Sequence, residues 1–265
     1  FWSSLYGTHP YGMQPTAESL TAIGLDDLRA FHAAHYVARS AAVTIVGALS
    51  RAEAEALALQ LTEALPAGEP LAPTPDPALP QGGERRVPHH ATQAHIHLGL
   101  PALKRGDPDF YALTVGNYTL GGGGFVSRLM KEVRDKRGFA YSVYSYFAPM
   151  QVAGPFQIGL QTKRAQTGDA LKVTRDVLQQ FLAEGPSESE LAAAKANIVG
   201  SFPLRLDTNR KILDNVAAIG FFGMPLDYLD TYADKVRKVT AADVRAAFAR
   251  HVRPEHLVTV VVAGD

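Results

Sequence analysis

The sequence predicts an α+β fold, a mostly antiparallel sheet packed by helices, and three observations lead there. Short apolar or alternating runs of strand length recur along the chain, among them Gln93–Leu100, Tyr141–Ala148, Phe156–Thr162 and Leu257–Ala263. Between and after them lie longer stretches with helical spacing, notably Gly168–Glu184, Glu188–Phe202, Ile212–Phe222 and Ala241–His251. Short strands mixed with paired helices suggest an α+β domain with a mostly antiparallel sheet.

From the N-terminus, Leu20–Tyr36 reads as a helix with Leu20, Ile23, Leu28 and Phe31 at helical spacing, followed by a buried strand at Ala41–Val46. Ser50-x-x-Glu53 is a capping box that opens a helix ending near Leu65. Pro70, Pro73, Pro75, Pro77 and Pro80 then crowd together with Gly82 and Gly83. Proline removes backbone donors and fixes φ, so residues 66–86 are expected to form an extended linker between a segment 1–65 and a domain 87–265. Within that domain Pro108–Leu120 and Ser127–Arg137 read as helices joined by a flexible loop, Gly121–Gly124. Ser187 and Glu190 form a second capping box.

Part of the sequence is repeated. Asp27-Leu28-Arg29-Ala30 recurs as Asp243-Val244-Arg245-Ala246, His35 as His251, and Ala41–Val46 as Leu257–Val262, at an offset of 216 (243 − 27). The expectation is a duplicated domain, with the second copy complete and the first represented by its last third. The sequence opens on Phe1-Trp2, and the repeat leads us to expect that it starts inside a longer protein.

Composition narrows the function classes. The 265 residues are 46% hydrophobic and 20% charged with a formal net charge of zero, so no basic face is implied and a dedicated nucleic-acid binder is disfavoured. The longest apolar runs are too short to span a bilayer. There is no cysteine, which excludes disulfides and thiolate zinc sites and fits a reducing or an oxidising compartment equally.

Among residues that carry chemistry, the histidine pairs His32/His35, His89/His90 and His95/His97 come first. A zincin helix needs histidines four apart with a glutamate between them. His32-x-x-His35 has other spacing, and His95 and His97 share one side of a strand without a third ligand, so these pairs read as surface or edge histidines. Gly121, Gly122, Gly123 and Gly124 lack the Gly-Lys-Ser/Thr that a phosphate cradle requires. They let the backbone approach another chain or cap two helices.

The segment Leu120–Tyr144, LGGGGFVSRLMKEVRDKRGFAYSVY, resembles the C-terminal domain of pitrilysin-type (M16) zinc metallopeptidases and of mitochondrial processing peptidase subunits. Tyr6-Gly-Thr-His-Pro-Tyr-Gly12 is similar to the loop after that family's zinc helices, and Asp26–Tyr36 to the end of its first domain. The resemblance implies peptide-bond hydrolysis, with zinc held by a His-x-x-Glu-His helix that this sequence lacks. It assigns Arg134 and Tyr141, seven residues apart, to the second domain's substrate side. Arg134 would hold a substrate carbonyl and Tyr141 would face the developing oxyanion. The glycine run Gly121–Gly124 would contact substrate.

No cofactor is then expected in this chain, and it should be inactive alone. The zinc is expected either upstream of Phe1 or in a partner subunit. Phe202–Asn209 and Gly223–Asp230 look more like the zinc-less partners of bacterial two-subunit peptidases, with a periplasmic setting implied by the same resemblance. Two rivals remain: a non-proteolytic assembly subunit, and a peptide-binding module using Gln93–Leu100 as an exposed sheet edge.

Overall fold

The computed structural model describes residues 1–264. In chain order the helices are α1 (Trp2–Tyr6), α2 (Ala17–Ala22), α3 (Leu25–His35), α4 (Arg51–Thr62), α5 (Phe110–Asn117), α6 (Thr167–Glu184), α7 (Glu188–Ser201), α8 (Asn209–Phe221), α9 (Tyr228–Lys238) and α10 (Ala241–His251). The strands are β1 (Gly83–Pro88), β2 (Gln93–Leu103), β3 (Ala140–Phe147), β4 (Gly154–Lys163) and β5 (Val258–Ala263). They form one sheet in the order β1-β5-β2-β4-β3, antiparallel except for β1 beside β5. The expected α+β class with a mostly antiparallel sheet packed by helices is the observed one.

The chain divides into two units. The first comprises Phe1–Met13, Pro75–Gly200 and the residues from Thr231 onward; the second comprises Gln14–Thr74 and Ser201–Asp230. In the first unit, one face of the sheet carries Ile96, Leu98, Phe156 and Ile158, all essentially without solvent contact. Helices α5, α6 and α10 cover it. Phe248 of α10 meets Phe181 of α6 edge-on at 4.9 Å and Phe156 of β4 at 6.4 Å. A side chain of this size, fully buried, contributes about 1.5–3 kcal/mol. Helix α5 lies so close to α10 that a Cβ on Gly116 would stand 2.5 Å from both Phe248 and Val244. The other face is covered over β5 by the N-terminal segment, where Leu5 and Tyr6 pack on Val258 and Val260 with Phe1, Trp2 and Tyr11 around them.

The second unit contains α2, α3, α4 and α8. Here the repeat keeps register: α3 at Leu25–His35 and the 3-10 turn Ala38–Ser40 stand 216 residues before α10 at Ala241–His251 and the turn Pro254–His256. Even the caps correspond, with the Gly24 N–H donating to Asp27 at 2.8 Å and the Thr240 N–H to Asp243 at 2.9 Å. Burial does not correspond. Val244 and Ala247 are fully buried, whereas their counterparts Leu28 and Phe31 are each 57% exposed.

Several sequence expectations need correction. Residues 41–46 form no strand, although they match β5 in the repeat. A strand exists through its ladder, and β5 has one on each side, from β1 and β2; no described strand pairs with 41–46. Residues 20–36 form two helices, because Gly24 caps the second. Strand β2 lies between β5 and β4, so Gln93–Leu100 is not an exposed edge. The last residues of the expected linker begin edge strand β1, whose charged Glu84, Arg85 and Arg86 carry no apolar alternation.

Candidate functional site

Helix α5 does not stop at the glycine run. It widens into a π turn at Tyr118–Gly122, tightens into a 3-10 turn at Gly124–Val126, and after Ser127 resumes as a helical segment whose Met130–Asp135 is again π. Such wide turns are rare and recur at functional sites. The run expected to be a flexible loop is instead wound into these turns, and neighbours crowd Gly121, Gly122 and Gly123 but not Gly124. A Cβ on Gly121 would lie 2.5 Å from Ser145 Oγ and 2.6 Å from its backbone nitrogen, so the turn rests directly on β3. Asn117 and Ser145 fasten that contact: Nδ2 of Asn117 donates to the Ser145 carbonyl at 3.0 Å, and Ser145 Oγ donates to Asn117 Oδ1 at 2.7 Å. Gly124 takes φ +60°, a left-handed conformation that costs other residues about 1–2 kcal/mol. Gly121 is buried, whereas Gly122 and Gly124 are exposed.

Downstream, the Gly138 N–H donates to the Arg134 carbonyl at 2.8 Å and the chain enters β3. Ala140 pairs with Thr162, but the next pair is Val143 with Leu160. One extra residue on β3 makes a bulge, a device that re-aims a side chain. Tyr141 sits in it, 89% exposed, with no partner for its hydroxyl among the described residues. Its carbonyl accepts from Arg134 Nε at 3.0 Å, while Arg134 Nη1 donates to Asp135 at 2.9 Å. The guanidinium carbon lies 4.9 Å from the Phe125 ring centroid and 5.8 Å from that of Tyr141. Arg134 Nη2 carries no hydrogen bond among the described residues.

Three ion pairs, on the carboxylates of Glu190 and Glu132, fix the segment that carries Arg134. Arg128 sends Nε to Glu190 Oε1 at 2.9 Å and Nη2 to Glu190 Oε2 at 2.7 Å and to the Gly185 carbonyl at 2.9 Å. This guanidinium holds the Glu190 carboxyl down at about 2. Glu132 accepts from Lys136 and Arg137, and these hydrogen bonds, aided by the two charges, lower its carboxyl below the usual range.

Arg134 and Tyr141, paired in the sequence reading, are thus adjacent, and the glycine run stands before them through Phe125. Sequence reasoning missed Phe125, although a large apolar residue directly after four glycines was the available signal. It also missed the Asn117–Ser145 fastening, which has no sequence signature.

Among the described residues a single group, Asp107, Asp109 and His251, brings three potential ligands together. It is already engaged: Arg250 grips Asp109 with two bonds at 2.8 and 2.7 Å, and His251 bonds the Ala102 carbonyl and Asp109. His97 bonds Gln157, and its burial lowers its pKa.

The peptidase M16 inactive domain is matched over residues 22–198, more than half of the sequence. The chain belongs to this family. Relatives of this M16 chain include an uncharacterized zinc protease of Streptomyces coelicolor, 30% identical over 255 residues, covering 93% of this chain and 55% of the relative. The non-peptidase homolog YmxG of Helicobacter pylori is 28% identical over 253 residues, covering 94% of this chain and 57% of its own. A crystal structure of a peptidase M16 inactive domain from Pseudomonas fluorescens matches at TM-score 0.95 and 39% identity, covering 100% of this chain and 64% of that one. The M16 chain thus spans a little over half the length of these curated relatives.

Proposed function

We propose that this chain is the zinc-less component of an M16 peptide-hydrolysing assembly, with Arg134 and Tyr141 as its substrate-side groups. One observation carries the reading. Arg134 is held through Nε and Nη1 while Nη2 has no hydrogen bond among the described residues, beside a tyrosine that is 89% exposed. A buried strand tyrosine and a freely solvated helix-end arginine would look otherwise. In this role Arg134 donates to a peptide carbonyl and holds the backbone in register. Tyr141 donates to the oxygen on which negative charge develops during hydrolysis. Zinc comes with a partner M16 subunit or with a preceding half of the same protein, and residues 87–265 act as the second domain of the pair, joined by the linker 66–86 to the tail of the first.

The test is steady-state kinetics on a peptide with the zinc-bearing partner present. One oxyanion donor is worth about 2.7–4 kcal/mol, so Tyr141→Phe should lower kcat about 10²–10³-fold with KM little changed. Arg134→Ala should raise KM as well, since a carbonyl clamp acts on ground and transition states alike. Wild-type rates in both variants would refute the assignment. The name of the Helicobacter pylori relative favours a second reading, a non-peptidase role; in that case no partner restores hydrolysis and peptide affinity alone depends on Arg134.

A further inference from the structure

We propose that Phe125 is a positioning residue for Arg134, an inference that rests on the substrate-side reading of Arg134. Phe125 is 68% exposed on its 3-10 turn, so burial in the core does not account for it. Its ring instead lies under the Arg134 guanidinium, 4.9 Å from the central carbon. The turn that presents it is closed from both sides. Gly124 supplies the left-handed φ, and the Gly124 carbonyl accepts from both the Ser127 N–H at 3.0 Å and the Ser127 hydroxyl at 2.7 Å. On this reading the glycine run serves to deliver Phe125.

Arg134 needs such a partner because a competitor stands next to it. The neighbouring Asp135 carboxylate already accepts from Nη1. Two parallel N–H···O bonds are the preferred way for a guanidinium to meet a carboxylate, and that arrangement would consume Nη2. Turning the guanidinium plane toward Asp135 would break its stacking on the Phe125 and Tyr141 rings and its Nε bond to the Tyr141 carbonyl. The aromatic contact therefore keeps Nη2 available for a substrate carbonyl.

The experiment is NMR of the Arg134 Nε–H group in this chain, titrated with acetyl-trialanine amide as a neutral backbone probe. Wild type should show an ordered, ring-shifted Arg134 resonance that moves on binding. Phe125→Ala should lose the ring shift, lower the order parameter and weaken probe binding about two- to fivefold, the scale of an exposed cation–π contact. Phe125→Trp should restore all three; Phe125→Leu, apolar but without a π face, should not. Thermal melts should be alike, given the exposure of the side chain. A Phe125→Ala variant with wild-type Arg134 order and affinity overturns the inference and leaves the substrate-side reading intact, as does full rescue by leucine. A wild-type Arg134 that ignores the probe overturns the substrate-side reading, and this inference with it.

Discussion

Replacing Glu190 by glutamine tests what holds the Arg134-bearing segment in place. Arg128 stands at the start of that segment, and its side chain is 18% exposed against a Glu190 side chain that is 24% exposed. A carboxyl titrating at about 2 instead of 4.5 is favoured in its ionised folded form by about 3 kcal/mol. Glutamine keeps one acceptor but leaves the Arg128 charge, which also lies over the Phe181 ring at 5.3 Å, without its counterion. Because the folded pKa is depressed, the stabilisation is fully present above pH 4.5 and is lost as the pH falls toward 2. Urea unfolding of wild type and Glu190→Gln at pH 7 should differ by about 2–3 kcal/mol, or about 5–10 °C in Tm. At pH 2.5 the same linkage leaves under about 1 kcal/mol. A gap below about 0.5 kcal/mol at pH 7, or one of equal size at both pH values, would refute the reasoning.

Gly121→Ala should destabilise by about 1–3 kcal/mol in chemical denaturation, since its Cβ would meet the backbone of Ser145. Gly168→Ala, with open space and an ordinary φ, should be neutral or slightly stabilising. Limited proteolysis should cut first within residues 66–82, which carry neither helix nor strand; a first cut inside α6 or α7 would count against this. Metal analysis of the dialysed protein should find no stoichiometric zinc, because the Asp107, Asp109 and His251 group is held by Arg250 and the Ala102 carbonyl. One tightly bound zinc per chain would contradict that.

Elements with signals at both ends were legible. Helix α10 begins at the Thr240–Asp243 capping box and ends at His251, the bounds read from periodicity. The strands flanked by turns, β4 and β5, were placed within two residues for the same reason. Residues 41–46 were over-read because apolar composition reports strand propensity, while a strand also needs partners that no local pattern encodes. Strand β1 was missed for the converse reason: its sequence is charged, and it exists because β5 offers a free edge. At the site, Arg134 and Tyr141 stood out only through the surrounding motif. Their exposure and mutual contact come from a bulge and from two π turns, which shift backbone hydrogen bonds by one residue without changing residue type.

The π turns at Tyr118–Gly122 and Met130–Asp135 have a consequence for how this region tolerates changes in length. A π bulge is an α turn with one residue more, and each residue of an α-helix advances the side chains by about 100°. Removing one residue from the first turn would restore ordinary helical phase and swing everything after it, Phe125 included, by about that angle. Removing one from the second would rotate Arg134 away from the Tyr141 carbonyl while leaving both residues in the chain. The chemistry of this corner is therefore encoded in spacing as much as in side-chain identity. A substitution scan would pass over that determinant, and a scan of single-residue deletions would expose it.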